Sequence, residues 1–221
     1  MGPREVGISD PIEPVIMEVR LPAGVAGPEA FEFDVRCFLV PHASGIVLVD
    51  TAVPGSAALI EAALLRLGAD WTDITDVVLT HHHPDHTGGL SDVIERAGQA
   101  AVWAGPQDEA LVPSKGTKRP LTEGVRVGSL RVLETPGHTP GHRSFIEEDA
   151  SIIIAGDAVG SMDSALTRGP TAFTADPDLA EDSLRRLAGL TADRVVFSHG
   201  PEVEGPIAAI RRLVHDRRPS A

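Results

Sequence analysis

The chain has no tyrosine, one cysteine and two tryptophans in 221 residues, so aromatic side chains make up only 4% of it. One cysteine, Cys37, excludes an internal disulfide and points to a reducing compartment. Its place in the apolar run from Val35 to Val40, with no activating partner nearby in sequence, reads as core packing and not as a nucleophile. Basic residues are also scarce, 19 Lys and Arg against 32 Asp and Glu, for a formal charge of -13. That field repels phosphate backbones and anionic lipid, which argues against a nucleic-acid or membrane partner and favours a small-molecule substrate. No apolar run reaches membrane-spanning length, and the first twenty residues carry acids and prolines where an export signal needs an apolar stretch. The expectation is a cytoplasmic protein.

What is present is ordinary globular material, 42% hydrophobic and 23% charged, in a length that fits a single domain over residues 1–221. Pro14 to Leu21, Phe31 to Val40 and Gly45 to Asp50 read as three strands of a β-meander, followed by a helix over Gly55 to Leu67 that Gly68 stops. A strand from Ile74 to Thr80, a helix from Leu90 to Ala97 and a strand from Ala100 to Ala104 come next. The second half repeats the logic, with strands at Leu130 to Thr135, Arg143 to Glu147 and Ile152 to Ala155 and helices near Leu179 to Leu187 and Pro206 to His215. Two strand-rich halves with outer helices suggest a sandwich.

The segment from Thr80 to Gly89, THHHPDHTGG, holds the spacing His-x-His-x-Asp-His at His81, His83, Asp85 and His86. In an extended segment residues two apart project to one side, so His81 and His83 can reach one metal ion. Pro84 then bends the chain and can turn Asp85 and His86 toward a second, while Gly88 and Gly89 let the backbone pass tightly into the next helix. Chance would place this spacing in roughly one of a thousand chains of typical composition, so a merely polar loop is the weaker reading. His138 in Pro136-Gly-His-Thr-Pro-Gly-His142, Asp157 in Gly156-Asp157 and His199 in Ser198-His199-Gly200 each put a further possible ligand beside glycine after a strand.

In these motifs the sequence resembles the metallo-β-lactamase-fold hydrolase superfamily, with a glyoxalase II-like or lactonase-like site, over roughly residues 14 to 215. The resemblance implies an αββα four-layer sandwich, an α/β fold with the site at one edge. It assigns His81, His83 and His138 to one metal ion, Asp85, His86 and His199 to another, and Asp157 to the bridge between them. Asp50, in Val47-Leu-Val-Asp50, matches a position where family members carry an aspartate near the site, and it can support a ligating imidazole from outside. The donors are nitrogen and oxygen of the kind Zn(II) accepts, with Mn or Fe also possible. The remaining histidines have duller assignments: His82 points away from its neighbours, His142 supports the glycine-rich turn, and His42 and His215 lie on the surface.

Two metal ions about 4 Å apart can hold a bridging hydroxide at neutral pH, which points to hydrolysis of an ester-type carbonyl, thioester or lactone, with Asp85 orienting the nucleophile or relaying its proton. Three departures narrow the resemblance. Gly156-Asp157 leads into Ala-Val-Gly-Ser-Met-Asp-Ser and not the Gly-Cys-Gly-Arg stretch of glyoxalase II-like enzymes. Acyl-homoserine lactonases commonly use a site tyrosine, which this chain lacks. True β-lactamases of the fold are exported and usually lack the bridging Asp, so amide hydrolysis is an alternative of lower rank. A mononuclear iron dioxygenase like the persulfide dioxygenases, using a His, His, Asp subset, is the alternative from another reaction class. Loops at Pro22 to Ala30, Pro106 to Gly124 and Val159 to Asp176 are the expected substrate contacts. Lys115, Lys118, Arg119 and Arg168 within them are expected to be solvated.

Overall fold

The structure is a computed structural model and describes residues 10–24, 28–113 and 117–216. The first sheet has six strands in sequential order: β1 (Glu13–Leu21), β2 (Phe31–His42), β3 (Gly45–Val49), β4 (Ile74–Val78), β5 (Ala101–Ala104) and β6 (Arg119–Pro120). β1, β2 and β3 pair antiparallel, the meander expected from sequence, and β3 to β6 run parallel through helical crossovers. The second sheet runs β13-β10-β9-β8-β7, from β7 (Arg126–Val127), β8 (Leu130–Glu134), β9 (Arg143–Glu147) and β10 (Ile152–Ile154) to β13 (Arg194–Val196). Between them in sequence, β11 (Gly160–Met162) and β12 (Ala165–Thr167) form a separate hairpin.

The helices are α1 (Ala57–Arg66), α2 (Pro84–Thr87), α3 (Leu90–Ala97), α4 (Pro177–Ala188) and α5 (Pro206–His215). Because side chains alternate along a strand, β3 divides its residues between two cores. Ile46 and Leu48 pack with Ile60 and Leu64 of α1 and Val93 of α3. Val47 and Val49 pack instead with Val132, Phe145 and Ile154 of the other sheet. A third core joins Ile153 and Val195 to Leu184 and Leu187 of α4 and Ile210 of α5. Helices, sheet, sheet and helices therefore stack in four layers, and the chain has the αββα architecture. Cys37 is buried in the first core, where burial pushes its thiol pKa up, as a packing residue requires.

α4 begins at Pro177, two residues before the apolar period starts, because Asp176 accepts the N–H of Leu179 at 3.0 Å and proline suits the first helical position. No helix among the described residues is long and apolar enough to cross a membrane.

Candidate metal centre

The C-terminal ends of β3, β4, β8, β10 and β13 converge at one edge of the sandwich, and the loops leaving them carry the seven motif residues. Neighbouring backbones knit these loops together: Arg143 N–H donates to Thr80 O at 2.8 Å across the two sheets, Thr51 N–H to His86 O at 2.8 Å, and Arg36 N–H to Ser198 O at 2.9 Å. After β4 the chain stays extended through His83, whose φ is -60° and ψ 150°, and then turns into α2 with Pro84 at its first position. Gly88 and Gly89 then pass beneath the turn that follows β3, where a Cβ on Gly89 would lie 2.3 Å from Thr51 O and one on Gly88 2.5 Å from Pro54 Cδ. Both positions demand glycine for close approach.

Three ring nitrogens face one another on one side: His81 Nε2 lies 3.0 Å from His83 Nδ1, which lies 3.1 Å from His138 Nε2. On the other side His199 Nε2 is 3.5 Å and His86 Nε2 3.8 Å from Asp85 Oδ2. Asp157 stands between the groups. Its Oδ2 is 3.4 Å from both His138 Nε2 and His199 Nε2, and its Oδ1 is 3.5 Å from His86 Nε2. Ligand-type atoms of His81, His83 and His138, of His81, His86 and Asp157, and of Asp85, His86 and His199 lie within 4.8 Å of one another in each set.

The supports behind these rings fix which nitrogen faces inward. Asp50, at the end of β3, has φ 61°, a left-handed conformation that a non-glycine residue holds only when its surroundings compel it. Its carboxylate accepts from Thr80 N at 2.8 Å, from Thr80 Oγ1 at 2.7 Å and from His86 Nδ1 at 2.9 Å. His86 Nδ1 thus carries the proton and Nε2 is left for the site. The Thr80 hydroxyl, 3.0 Å from His81 Nδ1, does the same for His81. The carbonyl of Asp34 on β2 accepts from His199 Nδ1 at 2.8 Å, which aims Nε2 inward.

The electrostatics divide along the same line. Burial, with the charge of His86, holds His81 well below its ordinary value, and burial with the neighbouring His138 brings His83 to about 4. Burial also lowers His138. For His86 burial is outweighed by the charges of Asp157 and Asp50, and its pKa is raised well above the ordinary value. For His199, burial is outweighed by Asp157 and Asp85, which lift it to about 10. Burial would raise the two acids, but His86 and His199 keep Asp157 ionised well below its usual range, and hydrogen bonding by His199 lowers Asp85.

A cation fits this set. His86 Nε2 and Asp157 Oδ1 are buried without a hydrogen-bond partner although they face each other, and the three nitrogens opposite present lone pairs with too few protons to share. Each is an imidazole or carboxylate donor suited to a divalent metal ion.

The other sequence candidates fall elsewhere. His82 folds away from the cluster onto Asp108, with Nδ1 3.0 Å from Oδ2. His142 does more than support a turn: it is fully buried, its Nδ1 is 3.0 Å from Thr135 O, and its Nε2 accepts the amide of Asp157 at 3.0 Å. His42, expected on the surface, is half-buried instead, wedged between Thr75 Oγ1 at 3.3 Å and the close backbone of Gly128, far from the seven. His215 is exposed near the end of α5. Arg168 and Arg119 are exposed, as expected; Arg168 also bonds to Glu181 and to Leu213 O, and Arg119 lies over Trp103. Lys115 and part of the Pro22 to Ala30 loop lie outside the described residues. Asp108 and the Asp34 carbonyl support the site without any sequence signal, since each acts on residues distant in the chain, whereas Thr80 opens the motif segment itself and acts on the adjacent His81.

Comparison with known proteins agrees with this geometry. Residues 30 to 199 match the family model of the metallo-beta-lactamase superfamily. The uncharacterized protein YobT of Bacillus subtilis (strain 168) is 30% identical over 82% of this chain and 90% of its own length. A hydroxyacylglutathione hydrolase of Rhodopseudomonas palustris (strain BisA53) is 33% identical over 70% of this chain, which spans 63% of that relative's length. Among solved structures, the metallo-beta-lactamase family protein TTHA1429 of Thermus thermophilus aligns with a TM-score of 0.66 at 26% identity, covering 91% of this chain and 78% of its own. TTHA1623, in a di-iron-bound form, aligns with a TM-score of 0.65 at 28% identity over 80% of this chain and 92% of its own.

Proposed function

The chain belongs to the metallo-beta-lactamase superfamily, and from that premise we propose that it is a hydrolase that holds two divalent metal ions and cleaves a thioester or lactone in a small molecule. The observation that carries this reading is the position of Asp157, whose one carboxylate oxygen is 3.4 Å from a histidine of each group. His81, His83 and His138 would hold one ion, Asp85, His86 and His199 the other, and Asp157 would touch both. Zn(II) suits these donors, and Mn(II) or Fe(II) is accommodated by the same nitrogen and oxygen set. When bound, such ions supply Lewis acidity and bring the pKa of a water toward about 7.

The chain's own residues do the rest. Asp50 and Thr80 keep His86 and His81 in the tautomers that face inward, and Asp157 stands between the two groups. Asp85 is the more open of the two acids, its side chain 28% exposed against 10% for Asp157. It can therefore take a proton from the attacking water and pass it to the leaving group. No serine or cysteine nucleophile is required, and Cys37 is fully buried in the first core, where burial pushes its thiol pKa up.

The choice of an ester-type carbonyl rests on the hydroxyacylglutathione hydrolase relatives and on the charge of -13, which disfavours polyanionic phosphodiesters. A second reading has one observation in its favour: His81, His86 and Asp157 form the two-histidine, one-carboxylate set used by mononuclear iron oxygenases. A panel of thioesters, lactones, β-lactams and phosphodiesters, assayed with Zn(II), Mn(II) and Fe(II), separates the two. The expected result is best turnover on an uncharged or singly charged thioester or lactone. Preference for a phosphodiester, or oxygen uptake with one iron per chain, would overturn the proposal.

A further inference from the structure

Asp108 belongs to none of the ligand-bearing motifs, yet its side chain is buried, 1% exposed, between the two loops that carry His81, His83 and His138. One oxygen, Oδ2, accepts from the backbone N–H of His82 at 3.2 Å and from the Thr139 hydroxyl at 2.6 Å, and it lies 3.0 Å from His82 Nδ1. The other, Oδ1, accepts the N–H of Gly141 at 2.7 Å. The carboxylate accepts three hydrogen bonds, all from residues 26 to 33 positions away, so it is committed to the two loops and not to its own turn. A residue that merely closed its own turn would bond within a few positions.

The fit is tight. A Cβ on Gly141 would lie 2.4 Å from Asp108 Cγ, and one on Gly105 would lie 2.0 Å from Gly141 O, so the turn after β5 is wedged against the Thr139–Gly141 turn. His82 sits between His81 and His83, and Thr139 follows His138. The carboxylate therefore ties together the two chain segments whose ring nitrogens meet at 3.0 and 3.1 Å. The opposite group has separate supports, Asp50 behind His86 and the Asp34 carbonyl behind His199.

We propose that Asp108 is a positioning residue that fixes the gap between the His81–His83 segment and His138, and so sets the affinity of that three-histidine position independently of the other. The inference rests on reading His81, His83 and His138 as metal ligands. The test is stepwise Co(II) titration of metal-free protein against a competing chelator, followed by the visible ligand-field spectrum, for wild type, His138→Ala, Asp108→Asn and Thr139→Val. His138→Ala should abolish one of two binding steps. Asp108→Asn, whose amide cannot accept from every one of these neighbours, should weaken that same step by about ten- to a hundredfold and leave the other within about twofold. Thr139→Val removes one hydroxyl in an isosteric side chain and should weaken the same step by about severalfold, so it carries the test if Asp108→Asn fails to fold. Unchanged affinity in both variants, or equal weakening of both steps, overturns the role of Asp108. Two intact binding steps in His138→Ala would instead overturn the ligand reading on which it stands.

Discussion

Nε2 of His142 accepts the backbone N–H of Asp157 at 3.0 Å, and burial holds this imidazole neutral with a pKa of about 3. Its other nitrogen donates to Thr135 O, so the ring links β8 to the loop after β10 and sets where the Asp157 carboxylate begins. His142→Leu should retain the fold yet lose about ten- to a hundredfold in metal affinity or turnover, as loss of a group supporting a ligand typically does. Equilibrium dialysis and steady-state kinetics on the same preparation check this. Unchanged values would mean that the Asp157 loop is held without the ring.

Asp157→Asn keeps size and removes the charge shared by the two groups. Turnover should fall by at least about a hundredfold, on the scale of disturbed catalytic positioning. Asp163, exposed at the tip of the β11–β12 hairpin with φ 50°, is the matched control, since asparagine tolerates that conformation. Asp163→Asn should keep turnover within about threefold of the starting protein. Equal behaviour of the two variants would remove Asp157 from the centre of the site.

The metal-free protein should be most stable near pH 6.5. His199, raised to about 10, contributes stability that is complete below its ordinary value of 6.5 and is lost as pH rises through 10. His83, lowered to about 4, contributes stability present above 6.5 and lost as pH falls toward 4, and His142 extends that acid loss toward 3. Tm followed against pH in chelator should therefore fall on both sides. His199→Gln should shrink the alkaline loss and leave the part due to His86, whose pKa is also raised, and a profile that keeps rising from pH 6.5 to 10 would contradict the assignment.

The seven motif residues were legible because each sits in a short, glycine-flanked segment whose spacing is chemically specific, and the structure brings all seven together. A sandwich was legible from unbroken apolar runs such as Ile46 to Val49 and from the helices that follow them, whereas the four-layer arrangement came from the resemblance that the motifs carry. Strands as short as Arg119–Pro120 and Arg126–Val127 carry no period of their own and exist because a neighbouring strand offers hydrogen bonds. Asp108, in a loop expected to contact substrate, instead braces residues far along the chain, and pairings at that separation leave no local pattern. Separation along the chain also hid the Asp34 carbonyl behind His199, 165 residues away.

The two-ion site is tested most directly by the metal-to-protein ratio of purified chain, loaded with Zn(II), dialysed and measured by atomic emission alongside single-ligand variants. The account predicts two ions per wild-type chain and one in each of His81→Ala, His138→Ala, His86→Ala and His199→Ala, with His42→Ala, His82→Ala and His215→Ala retaining two. One ion or none in the wild-type chain, or loss from the last three variants as strong as from the first four, would contradict it.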